Sequence, residues 1–408
     1  MRDTELLRGL LRVEDPWDVI ESKLDLERKR VDVRLEWQGP GRCPQCGREC
    51  PKHDHRERVW RDLDLCADRL YLHALVPRVE CPEHGVTTVT VPWSAGRTEF
   101  TARFERLAIA LLLEMSVAGV ARRLTMSWDQ VDAILMRAVG RGKQRRQPRI
   151  VRHLGIDEKA VKKRHRYFTI VSDLDSGDVL WVGRGRKRES IDAFWASLSP
   201  EQLAGIEGIA MDMWAPYFES ALKYVPGAEH KIVFDRFHVT AYLTKAVDLT
   251  RRAMMRDQTL DRTALKGRKY TWLRSRTNMD REERRDLVSL RTQYKRLGRT
   301  WAIKENFAEF WRYRRESSAR SFFAQWYNWA THSQLPALIS VAHTLKRHFE
   351  NIITYIKKPI SNAAAEALNS KIQMIKYRAR GYRNDDRFEA AILFYCGGLD
   401  LYPAHSNS

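Results

Sequence analysis

The sequence predicts an α/β core on a mixed five-stranded sheet, with an all-α basic insert, preceded by a small β domain and a helical pair. Three observations predict this class. Residues 153–184 contain three successive segments rich in β-branched and aromatic residues, joined by polar turns. Residues 206–213 and 231–235 are short apolar runs typical of buried strands. From 239 to 349 the apolar residues instead recur with helical spacing among many basic residues.

The composition favours a protein that binds a polyanion. The 408 residues suffice for two or three domains, and 72 Lys+Arg against 52 Asp+Glu give a formal charge of +20. Such an excess favours nucleic acid through counterion release. The longest apolar run, residues 107–113, is far shorter than the roughly 20 residues that span a bilayer. With no signal-peptide profile at the start, we expect a cytoplasmic, nucleoid-associated protein without membrane contact.

Residues 1–95 are predicted to form a small β domain that binds zinc. A first helix carries Leu6 to Leu11, and an alternating strand follows with Val31, Val33 and Leu35 on one face. Two knuckles of the form C-P-x-C/H come next, and Zn²⁺ prefers four tetrahedral sulfur and nitrogen ligands, two of which such a turn can present. The predicted structural zinc ligands are Cys43, Cys46, Cys81 and His84, with Cys50, His53 and His55 as competitors for one position. Cys66 and Cys396 are interpreted as small core residues, and this use of cysteine indicates a reducing compartment.

Residues 96–140 are predicted to form a helix-turn-helix. Helices over 117–124 and 128–139 are joined by a three-residue turn in which Ser127 is a plausible N-cap. Many helical pairs that never meet DNA have the same spacing. The candidate reading residues at the start of the second helix are Trp128, Asp129, Gln130 and Asp132.

Residues 141–152 are predicted to be a basic linker around Pro148. A solvated linker is one interpretation, and an arm that follows DNA phosphates between two DNA-contacting domains is the one we favour. Its candidate phosphate contacts include Arg141, Arg145, Arg146 and Arg149.

The segment 153–238 is predicted to be the first part of an RNase H-like core. Its strands and helices follow the order β-β-β-α-β-α-β, in which the first and fourth strands lie side by side. The first strand ends in the acidic pair Asp157-Glu158, and the fourth ends on Asp212. We therefore expect Asp157 and Asp212 at adjacent strand ends.

A basic helical insertion is predicted over 239–350, followed by the final helices of the core over 351–400 and a tail over 401–408. Residues 251–315 hold 20 Lys/Arg against 8 Asp/Glu, interleaved with tryptophans that we expect mostly to pack between helices. After Pro359, Ser361 can cap a helix on which Asn362, Glu366 and Asn369 share one face. A lone Glu on a helix is usually solvated, but two strand-end aspartates need a third oxygen ligand, which makes Glu366 the candidate.

Taken together, these motifs resemble bacterial insertion-sequence transposases of the DDE superfamily, specifically the ISL-three family. The resemblance covers nearly the whole chain. It rests on the zinc knuckle, the helix-turn-helix and the segments 155–158, 210–214, 234–238, 361–369 and 378–384. One departure is Ala363-Ala364, where members of the family usually carry Gly after the Asn.

The resemblance implies a catalytic triad of Asp157, Asp212 and Glu366. His238 falls in the D-x-x-H signature, where it contacts the scissile or a flanking phosphate, or makes a structural hydrogen bond. Three converging carboxylates repel one another unless divalent cations lie between them, and two Mg²⁺ (or Mn²⁺) ions suit that position.

The expected activity is cleavage at the terminal inverted repeats of the protein's own element and joining of the 3′ ends to target DNA. The partners are then double-stranded DNA and further copies of the chain, in a homodimer or larger assembly. Two alternatives stay open. One is a catalytically decayed transposase that acts as a DNA-binding regulator, and the other is an RNase H-like nuclease that cuts without joining.

Overall fold

The computed structural model describes residues 3–162, 166–257, 263–360 and 363–404, except for the side chains of 161–162, 264 and 363–366. Two compact units divide the chain. One combines Met1–Arg146 with Ile375–Ser408, and the other is Gln147–Met374. The segment 351–400, predicted as the final helices of the core, is thus shared between the two units.

The first unit begins with a mixed five-stranded sheet. Its elements are α1 (Asp3–Leu11), β1 (Trp17–Asp25), β2 (Arg30–Trp37), β3 (Lys52–Arg61), β4 (Arg69–Cys81) and β5 (Gly85–Thr88). The order is β1-β2-β4-β3 with β5 paired to β4, and β2 runs parallel to β4. Val33 and Leu35 alternate into the core as predicted. They pack in one cluster with Trp17, Trp60 and Trp93, whose rings meet edge to face.

Three helices follow the sheet: α2 (Ala102–Glu114), α3 (Val117–Leu124) and α4 (Trp128–Arg145). The predicted cap is confirmed, because Ser127 Oγ accepts from the Gln130 N–H and the Gln130 side chain accepts from the Ser127 N–H. The helix runs six residues beyond the predicted end, through the first part of the basic segment 141–152. The reason is that its buried stripe, with Leu135, Ala138 and Val139, continues to Gly142.

The second unit contains another mixed five-stranded sheet. Its elements are β6 (His153–Lys162), β7 (Arg166–Asp173), β8 (Val179–Arg184), α5 (Arg188–Ala196), α6 (Pro200–Ala204), β9 (Gly208–Met211), α7 (Ala215–Tyr224) and β10 (Ile232–Phe234). The order is β10-β9-β6-β7-β8. The first and fourth strands, β6 and β9, therefore lie side by side as predicted. The strand β6 continues past the expected end at Glu158, because it pairs antiparallel with β7 as far as Lys162.

Helices make up the elements that follow β10. They are α8 (Arg236–Arg256), α9 (Lys269–Leu273), α10 (Arg281–Gln293), α11 (Lys295–Phe307), α12 (Glu316–Thr331), α13 (Pro336–Arg347), α14 (Phe349–Lys357) and α15 (Ala363–Arg378). The core of the sheet, with Phe234, is continuous with Trp326 and Ile352 from these helices. A second cluster contains Trp272 and Trp301, so the expectation of helix-packing tryptophans is confirmed for these three.

The first unit closes with α16 (Asp385–Cys396), which packs on α4. Tyr395 donates to the Leu112 carbonyl at 2.9 Å, and Arg387 forms an ion pair with Asp132 at 2.8 Å. None of the described helices has both the length and the apolar character needed to cross a bilayer.

Candidate functional site

The register between β6 and β9 brings two carboxylates to one edge of the sheet. The strands run parallel and pair from His153 with Gly208 to Ile156 with Met211. Asp157 and Asp212 are the residues that follow the last pair. Parallel strands advance in step, so the two residues lie next to each other.

Asp157 is a half-buried carboxylate held by two donors. The Glu158 N–H donates to its Oδ1 at 2.7 Å, and the Asn369 amide donates to its Oδ2 at 2.5 Å. Burial raises the pKa of Asp157 because it penalises the charged form, and the nearby Asp212 charge adds to that effect. The two hydrogen bonds oppose the rise in pKa. The arrangement concentrates negative charge where a cation would be stabilised.

The second carboxylate, Asp212, lies beside a histidine. Its Oδ1 accepts from the Met213 N–H at 2.6 Å and lies 3.5 Å from His238 Nδ1. His238 sits in the first turn of α8, whose N-cap is Asp235, the residue directly after β10. Because α8 begins directly after β10, His238 in its first turn lies close to Asp212 at the same edge of the sheet.

Glu366 lies on α15, one helical turn before Asn369. That turn is fixed near the strand edge, since Asn369 binds Asp157 and its carbonyl accepts from Lys159 Nζ at 3.0 Å. The side chain of Glu366 lies outside the described residues, as do Ser361 and Asn362. Its role as the third carboxylate stays a prediction.

Two further charged residues, Glu158 and Arg186, border this edge, and neither was predicted as a site residue. Burial raises the pKa of Glu158, and the Arg186 guanidinium, 3.8 Å away, opposes that rise. Arg186 lies over the rings of Tyr167 and Trp214, at 4.5 and 5.1 Å from their centres. The acidic pair in the sequence pointed to Glu158. No sequence feature distinguished Arg186 from the other basic residues of its turn.

The zinc knuckles converge on one cluster in the first unit. The ligand atoms of Cys43, Cys46, Cys81 and His84 all lie within 4.8 Å of one another. This is the one such cluster of three or more His, Cys, Asp or Glu ligand atoms among the described residues. Cys50, His53 and His55, the competitors for one ligand position, are not part of this cluster, and Cys50 donates to the Arg48 carbonyl at 3.4 Å.

The spacing of these atoms fits tetrahedral zinc. Cys46 Sγ lies 3.7 Å from Cys81 Sγ, and His84 Nδ1 lies 3.7 and 3.5 Å from the sulfurs of Cys43 and Cys81. Zn–S and Zn–N bonds of about 2.3 and 2.0 Å at tetrahedral angles separate ligand atoms by about 3.5–3.8 Å. Backbone N–H groups of Glu83 and His84 lower the pKa of Cys81 to about 7, which favours the thiolate that binds metal. The donor set therefore supports structural Zn²⁺.

The start of α4 contains the residues predicted to read DNA, and the Arg387 side chain covers part of this surface. The Arg387 guanidinium lies over the Trp128 ring at 4.7 Å and forms ion pairs with Asp129 and Asp132 at 3.6 and 2.8 Å. Gln130 is engaged in the cap of its own helix. Contacts with DNA by Trp128 and Gln130 stay predictions.

The predicted phosphate contacts at 141–152 also have partners within the protein. Arg141 donates to the Leu401 carbonyl at 3.0 Å and lies 3.4 Å from the buried Glu105. Arg145 forms an ion pair with Asp400 at 2.9 Å, and Arg146 donates to the Gly397 carbonyl. In the second unit, Arg149 forms an ion pair with Asp173 at 2.8 Å. The sequence could not reveal these partners, because most lie more than 200 positions away.

Comparison with known proteins gives three family matches. Residues 154–392 match a model described as "Transposase". Residues 39–84 match the zinc-finger of transposase IS204/IS1001/IS1096/IS1165, and residues 89–139 match the helix-turn-helix domain of transposase family ISL3.

Relatives match over most of their length. The transposase for insertion sequence element IS1001 of Bordetella parapertussis is 30% identical over 376 residues, covering 87% of this chain and 92% of that protein. The transposase for insertion sequence element IS1557 of Mycobacterium tuberculosis (strain CDC 1551 / Oshkosh) is 28% identical over 444 residues, covering 100% and 99%.

Proposed function

Because the chain belongs to the ISL3 (ISL-three) family of insertion-sequence transposases, we propose that it cleaves the ends of its element and joins them to target DNA. It binds the terminal inverted repeats through the zinc and helix-turn-helix domains and transfers the freed 3′ ends. The observation that carries the proposal is the parallel register that sets Asp157 beside Asp212, with α15 fixed to Asp157 through Asn369.

The proposed catalytic domain is an RNase H-like core with an all-α insertion. The sheet order β10-β9-β6-β7-β8, with the first and fourth strands adjacent, supports the core. The helices from α8 to α14 support the insertion. The surplus of basic residues over 251–315 suits contacts to the DNA backbone, which position DNA without reading its sequence.

Asp157, Asp212 and Glu366 are the residues that would hold Mg²⁺ or Mn²⁺. Asp157, a half-buried carboxylate with a raised pKa, lies beside a second carboxylate, and such a pair of oxygen donors suits a hard divalent cation. Two such ions would activate a water or 3′-hydroxyl and stabilise the leaving oxygen of an in-line displacement. Asn369 holds Asp157 in place, and His238, beside Asp212, is placed to contact the phosphate that flanks the reacting bond.

The triad is tested by strand cleavage in Mg²⁺. The variants Asp157→Asn, Asp212→Asn and Glu366→Gln each remove one negative ligand, and we expect each to lower the cleavage rate by at least about a thousandfold. Asp175→Asn is the matched control, since Asp175 binds His153 at the opposite end of β6. A triad variant that cleaves at the wild-type rate removes its residue from the site.

A strand-transfer assay with precleaved DNA ends distinguishes cutting from joining. We expect the wild-type protein to join a precleaved 3′ end to a plasmid, and a pair of ends to be joined together if the active form is a homodimer or larger assembly. Cleavage without joining would instead indicate the nuclease alternative. Binding without either reaction would indicate the decayed regulator.

Reading of the ends depends on the zinc domain in this proposal. A strong chelator or Cys43→Ser should abolish the preference for terminal-repeat DNA over a scrambled duplex. Salt-sensitive binding to both duplexes should persist through the basic helices of the second unit. End preference that survives both treatments would exclude the zinc domain as a reader. We propose that the protein acts on cytoplasmic, nucleoid-associated DNA.

A further inference from the structure

A cleft of about 730 Å³ opens within the first unit between the zinc-binding sheet and α4. The strand β3 and the segment that follows β5 form one wall, and α4 forms the other. The described lining residues include four arginines, Arg56, Arg58, Arg97 and Arg137, against one carboxylate, Glu99. The lining of the cleft therefore carries an excess of positive charge.

The arginines of the sheet wall lie close enough together to affect one another. Arg56 and Arg58 are two positions apart on β3 and so share a face of the strand. Arg58 lies over the Trp60 ring at 4.7 Å and donates to the Thr98 carbonyl at 3.0 Å. Burial lowers the pKa of Arg58, and the positive charges of Arg56 and Arg97 lower it further.

Two of these cations have no acidic partner among the residues that the structure describes. Within the described part of the chain, the exposed guanidiniums of Arg56 and Arg97 form no ion pair or side-chain hydrogen bond. By contrast, the neighbouring Arg78 pairs with Asp54. A bound anion would offset the repulsion between these cations, so the concave site favours anion binding.

The opposite wall identifies the class of anion. It is the face of α4 that carries Gln130, Ala133 and Arg137, and Arg137 is fixed there by the buried Glu105 at 2.6 Å. This is the second helix of the helix-turn-helix, the helix that enters a DNA groove in that motif. A helix in the groove has a phosphate backbone along each side, so the cleft lies where one strand would pass.

We propose that this cleft, defined by Arg56, Arg58 and Arg97, binds the sugar-phosphate backbone of DNA beside the groove that α4 enters. The inference rests on the proposed function and assigns the zinc-binding sheet a direct DNA contact. Arg56 and Arg97 offer planar guanidiniums to phosphate oxygens, and Arg58 adds a charge held in place by Trp60. These contacts fix the position of the DNA and leave sequence reading to other residues.

The test uses the full chain and labelled 30-base-pair duplexes, one with the terminal inverted repeat and one scrambled. The double variant Arg56→Ala/Arg97→Ala removes two cations that make no ion pair or side-chain hydrogen bond with the described residues, so the fold should persist. The control, Lys23→Ala/Arg28→Ala, removes the same charge near the opposite edge of the same sheet. Zinc content and Tm of every variant are measured first, and Arg56→Lys/Arg97→Lys restores the charge.

We expect the cleft variant to weaken terminal-repeat binding about tenfold or more at 0.15 M salt. The slope of log K against log salt should fall by about 2, at roughly 0.9 per phosphate contact. Ethylation interference should disappear at the phosphates that the cleft holds and remain at the others. The lysine variant should recover most of the slope, and the control should match the wild type.

Equal slopes and equal interference patterns for the cleft and control variants would overturn the inference. A wild-type protein that does not distinguish the two duplexes would count against the proposed function instead. In that case the salt slopes measured on the scrambled duplex still show whether the cleft binds phosphates. Phosphate contacts do not depend on the DNA sequence.

Discussion

At the scale of single residues, Asn369 is the side chain that connects α15 to the strand edge. Its amide donates to Asp157 at 2.5 Å. Because that carboxylate is half-buried and charged, the loss of a hydrogen bond to it costs more than the loss of a fully exposed one. Asn369 thus positions both Asp157 and the turn of helix that carries Glu366.

We expect Asn369→Ala to lower the rate of strand cleavage by about ten- to a hundredfold, the range that a hydrogen bond to a charged group supports. The measurement is single-turnover cleavage of a terminal-repeat duplex with Mg²⁺. Gln373→Ala is the control, because Gln373 is exposed on the same helix. If both variants cleave at the same rate, Asn369 has no positioning role.

How far single residues could be predicted depended on the distance of their partners along the chain. The four predicted zinc ligands belong to two local motifs that each fix two donors, and their ligand atoms lie in one cluster. Glu105, a buried carboxylate bound to Arg137 and Arg141, carried no local signal. Arg387 likewise meets Asp132 only through the tertiary fold.

At the scale of elements, α4 contains two glycines in contrasting surroundings. A Cβ added at Gly140 would have no neighbour within 4 Å. A Cβ added at Gly142 would lie 2.7 Å from the Leu399 Cβ and 3.2 Å from the Asp400 carbonyl oxygen. Gly142 is therefore needed for close packing of the C-terminal segment, whereas Gly140 only lowers helix propensity.

We predict opposite effects of alanine at these two positions. Gly140→Ala should stabilise the first unit by about 0.5–1 kcal/mol, because alanine loses less conformational entropy in a helix. Gly142→Ala should destabilise it by about 1–3 kcal/mol through overpacking. Thermal unfolding measures both. Changes of the same sign would show that the Leu399 contact does not restrict this helix.

Elements in which the apolar residues recur with a regular period were predicted well. Elements in which that period is interrupted were not. The strand β2 alternates regularly, and its buried face is confirmed. The strand β1 was missed because its register with β2 shifts between Val19 and Glu21, and this irregularity breaks the period of two. The end of α4 was missed because arginines before Pro148 look like a linker, although Gly142 still continues the buried stripe.

At the scale of the whole molecule, the two units have separate cores. The first unit contains the cluster around Trp17, Trp60 and Trp93 and a smaller one at the zinc ligands. The second unit contains the cluster that joins the sheet to the helices. The composition predicted several domains, but the return of residues 375–408 to the first unit depends on contacts too distant in sequence to predict.

We expect two transitions in calorimetry of the full chain, and only one of them should respond to zinc. Removal of zinc by a strong chelator should lower the Tm of the first unit, because metal binding stabilises only the folded site. The Tm of the second unit should differ by no more than about 1 °C between samples with and without chelator, both in buffer without added metal. A single transition that moves as a whole would mean that the two cores unfold together.

The closing helix α16 also has a consequence for synthesis. It contacts α4 through the ion pair of Arg387 with Asp132 and α2 through the hydrogen bond from Tyr395 to the Leu112 carbonyl, and it is synthesised long after both helices. A nascent chain therefore cannot complete the packing around α2 and α4 before residues 385–396 have left the ribosome. Products of a stop or frameshift before residue 385 would retain the zinc ribbon yet lack the finished fold beside it.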